Sequence, residues 1–259
     1  MNPYIGICDV ASAQQARLLA EQFAGYKKYF SALRERRLML GLMMSYKTLN
    51  GLETKWAKVF PPKEKIAGIF IKHPEVVNTL HYADYDGISV EKSLKEAAHW
   101  GGPHLQAIQL DMIWPEASAI QLLLRKNDIK VVLQVSGRAL DAIEGDRQTL
   151  IRRLKQYQDL VSVVLFDKSM GRGLGLDAEG LRPFIRALVD SNLGMKVAVA
   201  GGLGPESLNL VRPLVKEFPD LSIDAQGRLR LTGSAMDPIN EDLAVLYLKR
   251  AVELFAPFA

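Results

Sequence analysis

Short runs of β-branched and apolar residues alternate with longer amphipathic stretches along almost the whole chain. Apolar runs of about four to eight residues read as strands, and apolar positions recurring every three to four residues read as helices. Strands fall near Tyr4–Asp9, Leu38–Met43, Val76–Ala83, Ala107–Asp111, Lys130–Val135, Ser162–Asp167, Lys196–Ala200 and Leu221–Asp224. Between them the periodicity predicts helices over Ala13–Arg34, Lys63–Lys72, Val90–His99, Glu116–Arg125, Arg147–Gln156, Ala178–Asp190, Pro205–Phe218 and Glu241–Leu254. Strands separated by helices of this length connect through right-handed parallel crossovers. Eight such units closing on themselves give an α/β fold, a single (β/α)8 TIM barrel forming one domain over residues 1–259.

The second unit departs from the rhythm. Ser45–Pro62 is a long connection between the second strand and its helix. It reads either as a lid or active-site insertion, with Tyr46, Lys47 and Leu49-Asn50-Gly51 over the barrel mouth, or as a surface excursion without a catalytic role.

Composition narrows the classes. Apolar residues make up 48% and charged residues 24% of the chain, as in ordinary folded soluble domains. No uninterrupted apolar window reaches the roughly 18 residues of a membrane span. The opening residues Met1–Asp9 lack a basic segment followed by an apolar one, so a cytoplasmic protein without a membrane partner is expected. The single cysteine, Cys8, excludes an intramolecular disulfide and a cysteine-only metal site. The net charge of +4 is spread over Lys27-Lys28, Arg34–Arg37, Arg152-Arg153 and Lys249-Arg250. These form no basic stripe interleaved with aromatics, which argues against nucleic acid. A monomer and a homodimer are equally compatible with the chain.

The chemistry starts at two strand-to-glycine junctions, Val197–Gly204 and Leu221–Arg228. Loops after the last two strands of such a barrel are a common phosphate site. Gly201 and Gly202 let backbone N–H groups approach an anion closely. A helix opening at Gly204-Pro205-Glu206 would aim its positive end at the same place. Arg228, beside Gly227, adds a charge-assisted donor. A phosphorylated small molecule is the expected ligand. His81 to Asp86 holds one histidine among scattered carboxylates without metal-ligand spacing, so no metal is expected. Trp114-Pro115 reads as a stacking surface for a ring or as packing at a helix start.

Five strand ends carry a resemblance in order: Gly6-Ile7-Cys8-Asp9, Gln109-Leu110-Asp111-Met112, Leu165-Phe166-Asp167 with Gly171-Arg172-Gly173-Leu174-Gly175, Ala200-Gly201-Gly202-Leu203, and Asp224-Ala225-Gln226-Gly227. Over nearly its whole length the chain resembles the phosphoribosylanthranilate isomerases, as a divergent member. The resemblance implies an Amadori rearrangement of a phosphorylated aminoaldose to an aminoketose, without a cofactor. It implies Cys8 as the general base and Asp167 as the general acid. Gln109, Gly173, Gly175, Gly201, Gly202, Gly227 and Arg228 are the expected substrate contacts.

Each role sets a condition. Cys8 has to be partly thiolate, which requires nearby positive charge, with Lys168 and Arg172 as the candidate sources. Asp167 has to stay protonated near neutrality, which requires an apolar wall. Without the resemblance, Cys8 reads as a small core residue and Asp167 as a helix cap or loop acceptor.

The chain departs from the family where the aromatic acid is gripped. Gly6 replaces a lysine, Asp9 replaces the glycine after the cysteine, and Asp111 stands at a histidine position. Only Lys47 is near the place of the carboxylate-binding arginine. Strand alternation predicts that Asp9 faces away from Cys8. The runner-up functions are another phosphate-handling barrel enzyme, an epimerase or lyase, and a non-catalytic phosphate-binding barrel. A Schiff-base lyase needs a lysine at a strand's C-terminal end, whereas Lys130 opens the fifth strand.

Overall fold

The structure, a computed structural model, describes residues 1–30, 33, 35–87, 89–167 and 175–258. Eight strands close a parallel barrel in sequence order: β1 (Tyr4–Cys8), β2 (Arg37–Ser45), β3 (Val76–Ala83), β4 (Ala107–Asp111), β5 (Lys130–Ser136), β6 (Val163–Asp167), β7 (Lys196–Ala200) and β8 (Ser222–Ala225). Ring closure between β8 and β1 pairs Ile5 with Ile223, Gly6 with Asp224 and Ile7 with Ala225. The single (β/α)8 barrel predicted from the hydrophobic pattern is thus the fold.

Helices α1 (Ala13–Lys27), α2 (Tyr46–Leu49), α3 (Lys63–Ile69), α4 (Val90–Gly101), α5 (Ala117–Leu124), α6 (Gly137–Asp141), α7 (Arg147–Lys155), α8 (Ala178–Asp190), α9 (Arg212–Glu217) and α10 (Glu241–Phe255) surround it. Several of their starts follow capping chemistry. Ser12 accepts from the Gln15 N–H, Asp177 from Gly180 and Asn240 from Leu243, each satisfying a donor that a helix N-terminus leaves free. Buried Ala16, Leu19, Ala20 and Phe23 form the inner stripe of α1, and Ala244, Tyr247, Leu248, Ala251 and Val252 form that of α10. These two helices pack together where the chain's ends meet. Below them the buried Arg36 guanidinium donates to the carbonyls of Tyr4, Leu221 and Pro219 and lies over the Phe255 ring, binding the closure at the strands' N-terminal ends.

Alternation along the strands divides the barrel interior into layers. The lower interior is dry: Tyr4, Met39, Val132, Val163, Leu165 and Ala198 pack as a separate apolar cluster. Above it the inward positions become small or polar, with Gly6, Gly41, Thr79, Gln109, Gln134 and Asp224. The interior is therefore unfilled at the C-terminal mouth, and a cavity opens there.

Three predicted helices are shorter than expected: α3 ends at Ile69 rather than Lys72, and two others differ more. The first stops at Lys27 rather than Arg34. The second does not open at Gly204: residues 205–207 form a turn, Leu208–Leu210 a 3-10 turn, and α9 starts only at Arg212. The Ser207 hydroxyl is the reason, accepting from Gly204 N–H over 2.9 Å and donating to the Gly202 carbonyl over 2.8 Å. Such a local side-chain bond competes with a helical start. The positive helix end expected at Gly204 is therefore not formed there. The Ser45–Pro62 connection folds as α2 and a 3-10 turn at Lys55–Lys58. Its Ser45 and Thr48 side chains cap reciprocally.

Candidate functional site at the barrel mouth

The cavity at the C-terminal mouth holds about 480 Å3 and is bounded by β1, β3, β4, β5 and β6 on one side and by the β7 and β8 loops on the other. It brings together Cys8, Gln109, Asp167, Gly201, Gly202, Gly227 and Arg228 from the sequence-predicted set. Gly175 is exposed, lies against Leu210 and does not line it. Gly173, with Lys168 and Arg172, lies outside the described residues.

The rim on the β7–β8 side is built from backbone. Gly201 and Gly202 take φ of 109° and 63°, a region that residues with a Cβ rarely enter, so the chain turns directly off β7 with its backbone against the cavity. The next loop packs onto it: a Cβ on Gly204 would lie 2.5 Å from Arg228 Cβ. Exposed Arg228 stands beside Gly227 on the same rim. This side offers backbone and guanidinium donors to an anion.

The opposite wall is a buried polar chain. The Cys8 thiol donates to Asp224 Oδ2 over 3.3 Å, and its sulfur lies 3.8 Å from His81 Nδ1. Gln109 Nε2 donates to Gln134 Oε1 at 2.8 Å and lies 3.2 Å from His81 Nδ1. The other ring nitrogen, His81 Nε2, is 3.5 Å from Asp111 Oδ2, and Asp111 Oδ1 accepts from the Tyr85 hydroxyl. Gln109 Oε1 and Asp224 Oδ1 are buried without a hydrogen-bond partner among the described residues.

Electrostatics on this wall reverse one expectation. Burial, the charges of Asp224 and Asp9 and the hydrogen bond to Asp224 push the Cys8 thiol well above its ordinary range, against an opposing pull from Arg230. Cys8 is held as a thiol, not a thiolate, first by burial and then by the carboxylate beside it. Asp9 contributes although it turns off the strand: with φ 70° it reaches Gln226 at 2.7 Å and ion-pairs with buried Arg230. Burial raises Asp224 to about 6, helped by Asp167 and opposed by the Cys8 hydrogen bond and His81. Burial disfavours a charge on His81, yet the Asp111 hydrogen bond and the charges of Asp111, Asp224 and Asp9 together raise its pKa.

Three wall residues were absent from the sequence-predicted site: His81, Gln134 and Asp224. All sit at inward-facing strand positions at the C-terminal end, and that alternation was the signal available. Lys47 is exposed, and no residue of Ser45–Pro62 lines the cavity. Trp114 packs, stacked at 6.5 Å on Tyr157 and donating to the Ala139 carbonyl. Among the described residues no group of three His, Cys, Asp or Glu side chains is placed to hold a metal ion. No described helix is long and apolar enough to cross a membrane.

No protein-family model matches the chain, and no curated protein does. Solved structures match in fold. The chain is similar to 3-keto-L-gulonate-6-phosphate decarboxylase from Vibrio cholerae, with 15% identity, a TM-score of 0.58 and full coverage of both chains. It is similar to TrpF from Jonesia denitrificans, with 13% identity, a TM-score of 0.53 and coverage of 97% of this chain and 98% of that one. A phospho-2-dehydro-3-deoxyheptonate aldolase from Francisella tularensis aligns over 98% of this chain and 86% of its own, at 10% identity and a TM-score of 0.52. At these identities the likeness is one of fold.

Proposed function

We propose that the protein is an enzyme of the aldose–ketose isomerase type that moves protons on a phosphorylated sugar adduct, in the manner of an Amadori rearrangement. The observation carrying this reading is the convergence of Cys8, Asp224 and Asp167 on one cavity whose far rim is the Gly201-Gly202 turn. The rim takes the phosphate and the wall takes the reacting carbons. The fold neighbour from Vibrio cholerae, a 3-keto-L-gulonate-6-phosphate decarboxylase, is in keeping with such a ligand.

The steps assign one role to each group. Asp167 in its acid form protonates the ring oxygen, and the aminoaldose opens to a protonated Schiff base. The C2 proton passes to the Cys8 sulfur as the thiol proton passes to Asp224 Oδ2, along the existing 3.3 Å contact. The proton thus ends on a carboxyl titrating at about 6, and no free thiolate is required. Cys8 acts as a relay, which removes the difficulty that its raised pKa creates for the simpler cysteine-base scheme. The resulting enol collapses to the ketone. The relay returns its proton to C1, and the C2 hydroxyl proton restores Asp167.

The test is turnover of phosphorylated aminoaldoses, phosphoribosylanthranilate among them, followed for wild type, Cys8→Ala, Asp224→Asn and Asp167→Asn. Loss of a positioned acid or base costs about 10²–10⁴-fold. Wild-type rates in all three variants would remove the assignment.

A second reading, an epimerase, is favoured by the two carboxyls, Asp167 and Asp224, lining one cavity and influencing each other's charge. It would show solvent deuterium uptake at one carbon without aldose–ketose conversion. A Schiff-base lyase is less well supported, because Lys130 is exposed at the N-terminal end of β5. A non-catalytic phosphate-binding barrel would gain thermal stability with ribose 5-phosphate and turn nothing over.

A further inference from the structure

We infer that the non-phosphate end of the ligand is an aliphatic chain bearing hydroxyl or amino donors, and not a carboxylate-bearing aromatic ring. The inference rests on the phosphate reading of the glycine rim and narrows what lies beyond it. Asp224, ionised at the start of the proposed reaction, lines the cavity, and Asp111 stands behind His81, so carboxylate charge faces the space opposite the rim. A ligand carboxylate placed there would meet like charge in a partly desolvated site, where Coulomb repulsion is poorly screened.

The hydrogen-bonding capacity of the wall points the same way. Gln109 is 1% exposed, and its amide nitrogen donates to Gln134 Oε1 and lies 3.2 Å from His81 Nδ1. Its Oε1 is an acceptor without a partner among the described residues. Buried acceptors of this kind carry a desolvation cost unless a donor reaches them. A hydroxyl or amine supplies that donor, and a carboxylate cannot. A stacking surface is also missing: among the described lining residues none is Phe, Tyr or Trp. Polar groups of Gln, Asp, Cys and His stand on one side and Gly and Arg on the other, with Leu165, Ala200, Leu203 and Ala225 between them, so the two ends offer opposite preferences. Its volume of about 480 Å3 suits a small molecule spanning the two.

Calorimetric titration of the wild-type protein with three probes tests this: inorganic phosphate, D-ribitol 5-phosphate, and 1-(2-carboxyphenylamino)-1-deoxyribitol 5-phosphate. We expect ribitol 5-phosphate to bind at least about tenfold more tightly than phosphate, about the worth of one well-made hydrogen bond to a buried acceptor. The carboxyphenyl derivative should bind no more tightly than ribitol 5-phosphate. In Gln109→Leu the advantage of ribitol 5-phosphate over phosphate should shrink while phosphate itself binds as before. A carboxyphenyl derivative that binds more than tenfold better than ribitol 5-phosphate overturns the inference and leaves the phosphate site standing. So does a ribitol 5-phosphate affinity equal to that of phosphate. If no phosphate-bearing probe binds, the phosphate reading itself fails, and this inference falls with it.

Discussion

The Cys8 thiol donates to Asp224 Oδ2 across 3.3 Å, and the contact exists because Gly6 leaves room for it. Gly6 and Asp224 are register partners between β1 and β8. A Cβ on Gly6 would lie 2.6 Å from Asp224 Oδ1. At this position the isomerases that the chain resembles carry a lysine, a cation beside the cysteine. Here a carboxylate leans over a glycine instead, and the cysteine's environment changes sign. Replacing the carboxylate should move the thiol partway back. Asp224→Asn lowers the Cys8 pKa, read from thiolate absorbance or alkylation rate against pH, but leaves it above an ordinary thiol because burial is the larger cause. An unchanged titration would mean that the carboxylate does not control the thiol.

The same glycine gives a packing prediction. Gly6→Ala forces its methyl against Asp224 Oδ1 and, at 2.9 Å, against Met39 Cε. Overpacking of this kind costs about 1–3 kcal/mol. Made together with Asp224→Ala, the substitution should cost clearly less, since the atom it meets first is gone. Denaturant melts of the two single variants and the double variant measure the coupling, and strict additivity would show that the two residues do not compete for space.

Stability should fall as pH rises from about 4 through neutrality, in two stages owed to two residues. Asp224 titrates at about 6 when folded against 3.8 unfolded, so the folded state binds the proton more tightly. Ionising it costs folding free energy that accumulates between these values, about 3 kcal/mol at most, and is constant above them. His81 is also raised, so its protonated form contributes stability that is complete below pH 6.5 and is lost as pH climbs through the folded value. Asp224→Asn should flatten the stability profile between pH 4 and 6, and His81→Gln should flatten it above about 6.5. Chemical denaturation across pH 4–8 checks both, and a profile unchanged in either variant contradicts the corresponding shift.

The barrel was legible because each βα unit carries its own periodicity, and Val76–Ala83, Ala107–Asp111, Lys196–Ala200 and Ala178–Asp190 were readable to the residue. The glycine turn was legible because Gly201-Gly202 follows a strand directly. The polar wall was not. Which of His81, Gln134 and Asp224 meets Cys8 depends on barrel register, and register joins residues as far apart as 8 and 224. The false helix start at Gly204-Pro205 had a local cause that composition conceals, the doubly bonded Ser207 hydroxyl. Alternation does not extend to Asp9, which leaves the strand with φ 70°, and its charge reaches the thiol.

Asp9 itself anchors the loop after β8, and this yields the last prediction. Its carboxylate accepts from Gln226 and pairs with Arg230, whose side chain is 3% exposed and whose Nε donates to the Asp237 carbonyl at 2.7 Å. Gly227 and Arg228 lie between these two attachments, so the ion pair holds the anion-facing part of the rim against β1. Removing one member of a buried pair strands the other charge and costs about 3–5 kcal/mol, whereas removing both costs much less. Arg230→Met should therefore destabilise strongly, and Asp9→Asn combined with Arg230→Met should recover most of the loss. The rim should not recover with it. Phosphate affinity, measured by titration on the refolded double variant, should stay at least several-fold below wild type, because neutral side chains no longer fix residues 226–230. Wild-type phosphate affinity in the double variant would show that the loop holds its shape without the pair.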